Sequence, residues 1–339
     1  RKQFSTARNQ YKAILATEEK NLHAYAYYKI AWTLFNEGEN DAAIAMLEKT
    51  ISESRKYQSN KKLGVEDEAL SDLVLFYAEK GKPDEALEYF KKIVDLEKAK
   101  EMLFQLAKRY IDHGQHAYAE HTAKILLTNN PSDAYVHKLY FILISVTERN
   151  QNKEASIAYV QKLVEWFQQK SRDEPITSEI EEFIRIFAQK THFEAEKSKK
   201  KELWLAARKA YDDYFHIFIN SKESGEMHFR FAVLLMHLKE NVAAFSQLDT
   251  GIPKMDEKNL RFKEALKLRI QSIELATVEE KKLFNEKSVM LAYDAFVKNF
   301  QNDELAPEAS YKAAILAKKF EPIESVVSRF RKIAESYPK

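Results

Sequence analysis

Apolar residues recur with helical spacing between residues 24 and 54 and predict two amphipathic helices. The first helix carries apolar side chains at i, i+3, i+4 and i+7, namely Tyr27, Ile30, Ala31 and Leu34. The second helix places one apolar stripe on Ala43, Leu47 and Ile51. Gly38 lies between them and can adopt the left-handed conformation that ends a helix. A pair of this kind cannot bury its apolar face alone, so the pattern predicts stacking against similar pairs.

The pattern repeats along the chain. Small residues equivalent to Ala43 recur at Ala7, Ala86, Ala119 and Ala155, with separations of 36, 43, 33 and 36 residues along the series. Three of the six glycines, Gly38, Gly81 and Gly114, lie five residues before such a position. Because glycine is rare in this chain, this placement indicates a repeated helix–turn–helix unit.

Composition supports a helical protein and excludes several classes of site. The 339 residues include 6 glycines and 7 prolines, and 45% are apolar without a run of about 18 apolar residues that could form a membrane helix. The absence of cysteine excludes disulfides, thiolate zinc sites and cysteine nucleophiles. The net charge of +2 argues against a dominant role in binding nucleic acid or anionic membranes.

The helical pairs of residues 24–131 resemble the tetratricopeptide repeat, a hairpin of about 34 residues with a pattern of small, aromatic and proline positions. The resemblance extends to about residue 164. It implies an all-α fold, an α-solenoid forming a right-handed superhelix of about eight hairpins. The first hairpin is incomplete, because the chain starts in what matches a second helix. We therefore expect an excised fragment.

The periodicity divides the chain into three segments. Residues 1–165 are predicted to form an N-terminal array, and residues 206–339 a C-terminal array in which regularity returns around Ala244. Between them, residues 166–205 are predicted to be an irregular helical insertion or a hinge. The next small position is Ala207 or Ala210.

The C-terminal sequence pattern, with APEASYKAA followed by KIAESYP, resembles that of tetratricopeptide proteins of the bacterial cell envelope. Examples are the outer-membrane assembly lipoprotein and the Tol–Pal coordinator family. The resemblance implies a periplasmic or outer-membrane-associated protein that helps to assemble an envelope complex. A cytoplasmic location is the alternative.

The resemblance also implies which side chains face the concave surface of the solenoid. The strongest candidates for contact with a partner protein or peptide are Tyr28, Trp32, Phe35, Phe104, Lys108 and Tyr140. Large aromatic side chains can anchor a partner, as at binding hot spots. The alternative is that these residues pack on the adjacent repeat as part of the core.

The sequence contains no recognisable catalytic, metal or cofactor motif. His113, His116 and His121 form a local cluster, but turn histidines are a better interpretation than a zinc site. We therefore expect a non-enzymatic interaction scaffold without metal or cofactor. Two alternatives are a regulatory or substrate-recruiting region of a larger enzyme and a self-associating structural subunit.

One concentrated basic run, Lys197 to Lys201 with Ser198 inside it, could bind an acidic partner or a phosphate surface. Glu194, Glu196 and Glu202 flank it, and ion pairing along the helices is the preferred interpretation. We therefore expect no nucleic-acid partner and no insertion into a membrane.

Overall fold

A computed structural model describes residues 2–57, 65–169, 174–258 and 260–338. Every regular element in these ranges is helical, and consecutive helices form hairpins. The predicted all-α fold of stacked helical hairpins is confirmed. Residues 170–173, which belong to the predicted insertion or hinge, lie outside the described residues.

The chain divides into two compact units, Arg1–Tyr159 and Val160–Lys339, and the division falls within one helix. The helices of the first unit, up to and including the shared one, are α1 (Lys2–Leu15), α2 (His23–Glu37), α3 (Asn40–Lys56), α4 (Glu66–Lys80), α5 (Pro83–Lys91), α6 (Leu96–Asp112), α7 (His116–Thr128), α8 (Asp133–Arg149) and α9 (Lys153–Gln168). A short 3-10 helix, Lys20–Leu22, precedes α2.

The second unit continues with α10 (Glu174–Ser198), α11 (Lys201–Phe218), α12 (Ser224–His237), α13 (Asn241–Gly251), α14 (Leu260–Leu275), α15 (Val278–Lys281), α16 (Glu286–Asn299), α17 (Ala306–Ala317) and α18 (Ile323–Ser336). A 3-10 helix, Ile252–Lys254, follows α13. Helix α10 is continuous over 25 residues. The predicted borders at residues 165 and 205 stay predictions.

A left-handed residue reverses the chain in six hairpins of the described structure. It always lies two residues before the second helix begins, at Gly38, Gly81, Gly114, Gln151, Lys199 and Lys239, with φ between 57° and 84°. Glycine adopts this conformation without a steric penalty, whereas a side chain makes it costly. Only the three glycine positions could be recognised from the sequence.

The left-handed residue also closes the end of the first helix. In four hairpins the next backbone N–H donates to a carbonyl five residues earlier, at distances of 2.7 to 2.9 Å: Glu39 to Leu34, Gln115 to Tyr110, Asn152 to Thr147 and Glu240 to Leu235. These are Schellman-type bonds, which satisfy carbonyls that the helix leaves without partners. The same geometry therefore ends helices that share little sequence.

The turn fixes which residue of the second helix is buried. The side chains five residues after the left-handed position are all buried: Ala43, Ala86, Ala119, Ser156, Trp204 and Ala244. Ala155, the position expected from the repeat, is only half-buried, and Ser156 takes its place with Oγ 3.0 Å from Thr147 Oγ1 on α8. In the α10–α11 hairpin a tryptophan stands there, and Ala207 and Ala210 are buried further along.

A buried histidine joins three helices of the second unit. The ring of His228 on α12 stacks on Phe215 of α11 with centroids 4.1 Å apart, and its Nδ1 donates to Gln247 Oε1 of α13 at 2.6 Å. The approach of α13 requires Gly251, because a Cβ there would collide with the Cβ of His228. Burial lowers the pKa of His228, although the bond to Gln247 opposes this shift.

Replacing Lys239 by glycine should raise the free energy of unfolding by about 1 kcal/mol, because glycine removes the left-handed penalty. Gly38→Ala should lower it by a similar amount, since nothing but the backbone conformation opposes a Cβ there. Urea unfolding measures both. Lys222→Gly, in a turn where φ is not positive, is the control and should not stabilise. Equal effects of Lys222→Gly and Lys239→Gly would contradict the prediction.

The folded protein should lose stability as the pH falls below about 6.5, the ordinary pKa of histidine. Below this pH the unfolded chain takes up a proton at His228 more readily than the folded chain does, because burial lowers the pKa of this ring in the folded chain, as it lowers the pKa of His192. His228→Gln should reduce the slope of unfolding free energy by up to about 1.4 kcal/mol per pH unit. Urea titrations across this pH range measure it. An unchanged slope would show that His228 is not the group responsible.

Candidate protein-binding surface

One carboxylate joins the first helices of two consecutive hairpins. Asp72 on α4 accepts hydrogen bonds through Oδ2 from Tyr28 Oη and from Trp32 Nε1 on α2, both at 2.8 Å. Burial, and then the hydrogen bond to Asp72, raise the pKa of Tyr28. The polar ends of two predicted binding residues are therefore held by the neighbouring repeat.

The aromatic rings beside this carboxylate pack on the same neighbour. Phe35 stacks on Phe76 of α4 with centroids 3.9 Å apart and an angle of 3° between the planes. Trp32 meets both rings edge-on, at 5.8 and 5.2 Å. Phe76 is fully buried, while Phe35 and Trp32 are half-buried. These side chains thus pack between repeats and keep part of their surface exposed.

Two further aromatic candidates occupy different environments. Phe104 is buried, with 4% of its surface exposed, and stacks on Tyr135 of α8 with centroids 4.7 Å apart. It was expected to project into an open concavity, but it lies inside the core and offers almost no surface to a partner. Tyr140 is half-buried and packs against the same core.

A groove of about 510 Å³ lies between α4 and α6, the first helices of consecutive hairpins. Helix α4 contributes Asp67, Leu70, Ser71 and Val74, and α6 contributes Lys98, Glu101, Met102, Gln105, Lys108, Arg109 and Asp112. Apolar side chains from both helices therefore lie among charged and amide groups. Lys108, the one cation in the predicted set, is exposed and lines this groove.

The groove carries both signs of charge. Lys98 Nζ lies 2.9 Å from Glu101 Oε2, and this hydrogen bond raises the pKa of Lys98. Arg109 Nη1 lies 3.3 Å from His113 Nε2 at one end. A lining with cations, carboxylates and an amide can meet the backbone and mixed side chains of a polypeptide.

The sequence placed the exposed face of α6 one residue away from its true position. Phe104 was expected to face outward, but its neighbour Gln105 does, and one residue rotates a helix by about 100°. Lys108 belongs to both the expected face and the observed face, because it lies four residues after Phe104 and three residues after Gln105. The signal that could have identified the groove is a polar stripe at i, i+3, i+7, i+10 and i+14, formed by Lys98, Glu101, Gln105, Lys108 and Asp112.

The histidine cluster is dispersed around the α6–α7 turn. His121 Nε2 contacts Asp84 Oδ1 of α5, whereas His113 contacts Arg109. Within the described ranges, no group of three or more histidine, aspartate or glutamate side chains converges as a metal site would require. The helices in those ranges also include none with the length and apolar character needed to span a bilayer.

Comparison with known families identifies two repeats in this unit. Residues 25–56 and residues 67–100 each match a family model described as a tetratricopeptide repeat. These segments cover most of α2–α3 and the region from α4 to the start of α6, so the second of them contributes the α4 side of the groove. No curated protein matches the sequence.

Several solved structures are similar to the chain at low sequence identity. The C-terminal part of a TPR repeat-containing protein from Cytophaga hutchinsonii has 15% identity and a TM-score of 0.36, with 83% of this chain and 98% of that chain covered. A tetratricopeptide repeat protein from Parabacteroides merdae has 13% identity and a TM-score of 0.29, with 86% of this chain and 98% of that chain covered. The TPR2AB domain of yeast Sti1 in complex with pHSP90 has 14% identity and a TM-score of 0.21, with 94% of this chain and 98% of that chain covered.

Asp72→Ala should lower the free energy of unfolding by about 1–3 kcal/mol, because it leaves the polar groups of Tyr28 and Trp32 without their acceptor. Asp72→Asn keeps one acceptor oxygen and should cost less. Urea unfolding measures both, with Glu79→Ala on the exposed side of α4 as the control. An Asp72→Ala protein as stable as the Glu79→Ala protein would contradict the role given to this carboxylate.

Proposed function

We propose that this protein is a non-catalytic scaffold that binds a partner protein or peptide along the groove between α4 and α6. The observation that supports this most directly is the position of the groove. It lies between the first helices of two consecutive hairpins, and one of them belongs to a segment that matches the tetratricopeptide repeat. Tetratricopeptide repeats generally mediate protein–protein interactions.

The lining of the groove suits a polypeptide segment better than a small apolar ligand. Leu70, Val74 and Met102 form its buried floor, and charged or amide groups provide the exposed lining. A partner segment with charges of both signs and free backbone polar groups would match this lining. Lys108 and Arg109 would meet its carboxylates, and Asp67 and Asp112 its cations.

The structure around the groove is fixed before a partner arrives. Asp72 holds α2 to α4 through Tyr28 and Trp32, and Phe104 holds α6 to α8 through Tyr135. A preorganised surface loses less conformational entropy on binding than one that must become ordered. We therefore assign Phe104 a supporting role and give the direct contacts to Lys108 and its polar neighbours, with the exposed parts of Tyr28, Trp32, Phe35 and Tyr140 extending the surface.

Our proposal includes a cellular location. The resemblance of the C-terminal sequence pattern to envelope proteins supports a periplasmic or outer-membrane-associated scaffold that helps to assemble an envelope complex. The partner would then be another envelope protein. A partner confined to the cytoplasm would refute this location without refuting the groove.

Photo-crosslinking in cells of the source organism tests both parts. A benzophenone amino acid at Lys108 should crosslink one defined protein, whereas the same group at Lys92, an exposed lysine at the end of α5, should not. Lys108→Glu should weaken binding of that protein about tenfold, or about 1.4 kcal/mol, while Lys92→Glu should leave the affinity unchanged. The compartment of the captured protein reports the location. Equal crosslinking at both positions would refute the groove as the binding site.

A further inference from the structure

The tip of the α10–α11 hairpin carries four lysines within five residues. Lys197, Lys199, Lys200 and Lys201 are all exposed, and Ser198 stands between the first two. We call these four lysines the basic tip. Lys199 is the left-handed residue of this turn, with φ of 59°, and the backbone N–H of Lys200 donates to Ser198 Oγ at 3.3 Å. The turn therefore ends α10 and starts α11 with its cations directed away from the core.

The flanking carboxylates form no ion pair with these lysines, contrary to the expectation from the sequence. Glu194 Oε1 lies 3.9 Å from Lys190 Nζ, and Glu196 Oε1 lies 3.7 Å from His192 Nε2, so both face the body of α10. Throughout the described part of the chain, no ion pair involves a lysine of the basic tip. Glu202 is the nearest remaining acid, in the first turn of α11, and it leaves an excess of positive charge.

Exposed apolar side chains accompany these lysines on both helices. Phe193, four residues before Lys197 on α10, has 64% of its surface exposed, and Leu205, four residues after Lys201 on α11, has 49% exposed. Residues four apart lie on the same side of a helix. At a rise of about 1.5 Å per residue, both side chains lie within about 10 Å of the tip along their helices.

We propose that the basic tip binds the surface of a membrane containing anionic phospholipids, with Phe193 and Leu205 entering the headgroup region. Exposed lysines near an anionic bilayer are attracted to its phosphates, and adjacent aromatic and aliphatic side chains add apolar contact. The groove between α4 and α6 does not include these residues. Lysine suits the mobile phosphates of a lipid surface because it needs no fixed, forked geometry.

This surface differs from the partner groove in unit and chemistry. The groove belongs to the first unit and balances cations with carboxylates, whereas the tip belongs to the second unit and is basic. The tip could hold the scaffold at a membrane while the groove binds its partner. The two proposals can therefore fail independently.

Co-sedimentation of the full chain with lipid vesicles tests the tip. The protein should bind vesicles of phosphatidylcholine mixed with phosphatidylglycerol, bind phosphatidylcholine alone at least tenfold more weakly, and lose affinity as salt is raised. Lys199→Glu/Lys200→Glu should reduce binding to the mixed vesicles at least tenfold. The matched control, Lys91→Glu/Lys92→Glu at the end of α5, makes the same change in net charge and should retain the affinity.

Phe193→Ser separates the apolar contribution from the charge. It should weaken vesicle binding severalfold while leaving the salt dependence unchanged, because the lysines remain. Circular dichroism should show unchanged helix content in each variant, since all the substituted side chains are exposed. Unchanged binding by Phe193→Ser would overturn the assigned role of this ring.

Four results would overturn the proposal as a whole. The first is equal binding to both vesicle types, and the second is equal loss in the tip variant and its control. The third is tip-dependent binding of a single-stranded RNA oligonucleotide without binding to anionic vesicles, which would identify a nucleic-acid surface instead. Inorganic phosphate should not reduce binding to the mixed vesicles at concentrations where sodium chloride of equal ionic strength leaves that binding unchanged. The fourth result is specific competition by phosphate, which would identify a site for free anions.

Discussion

The reversal of the chain between paired helices is the constraint on which the fold depends. Each of the six reversals described above uses one left-handed residue placed two positions before the second helix. This geometry closes the first helix and sets the rotation of the second, so that its fourth residue is buried. Once that rotation is fixed, the apolar faces of successive hairpins can meet, and the first helices stand side by side with a groove between them.

The sequence predicts this architecture where glycine marks the turn and fails to locate it elsewhere. Gly38, Gly81 and Gly114 are recognisable because glycine adopts positive φ readily. Gln151 and Lys199 take the same conformation with side chains, and no residue preference announces them. The error at Ala155 has the same origin, because two adjacent small residues cannot be ranked without knowing where the turn lies.

The candidate surface was likewise only partly predictable from the sequence. Repeat spacing predicts that Trp32 and Lys108 lie near the exposed face, but it cannot decide whether an aromatic ring faces a partner or the next repeat. That choice depends on Asp72, which is 40 residues from Trp32 in sequence. On α6, a shift of one residue likewise decides whether Phe104 or Gln105 is exposed, and only the packing of Phe104 against Tyr135 shows that Phe104 is the buried one.

Local charge was predicted least well. Glu194 and Glu196 lie within helical reach of the lysines of the basic tip, yet they pair with Lys190 and His192. Ion pairs at exposed positions are worth little, so small differences in side-chain direction decide them. The sequence could identify the excess of lysine at 197–201 but not whether it is neutralised.

Hydrogen exchange at four turn amides tests the central claim most directly. The backbone N–H groups of Glu39, Gln115, Asn152 and Glu240 lie outside the first helices, but the left-handed turns bond them to carbonyls inside. All four should exchange as slowly as amides in the adjoining helix ends, although only Glu39 and Gln115 follow a glycine. Exchange at the rate of a free loop amide at these positions would contradict it.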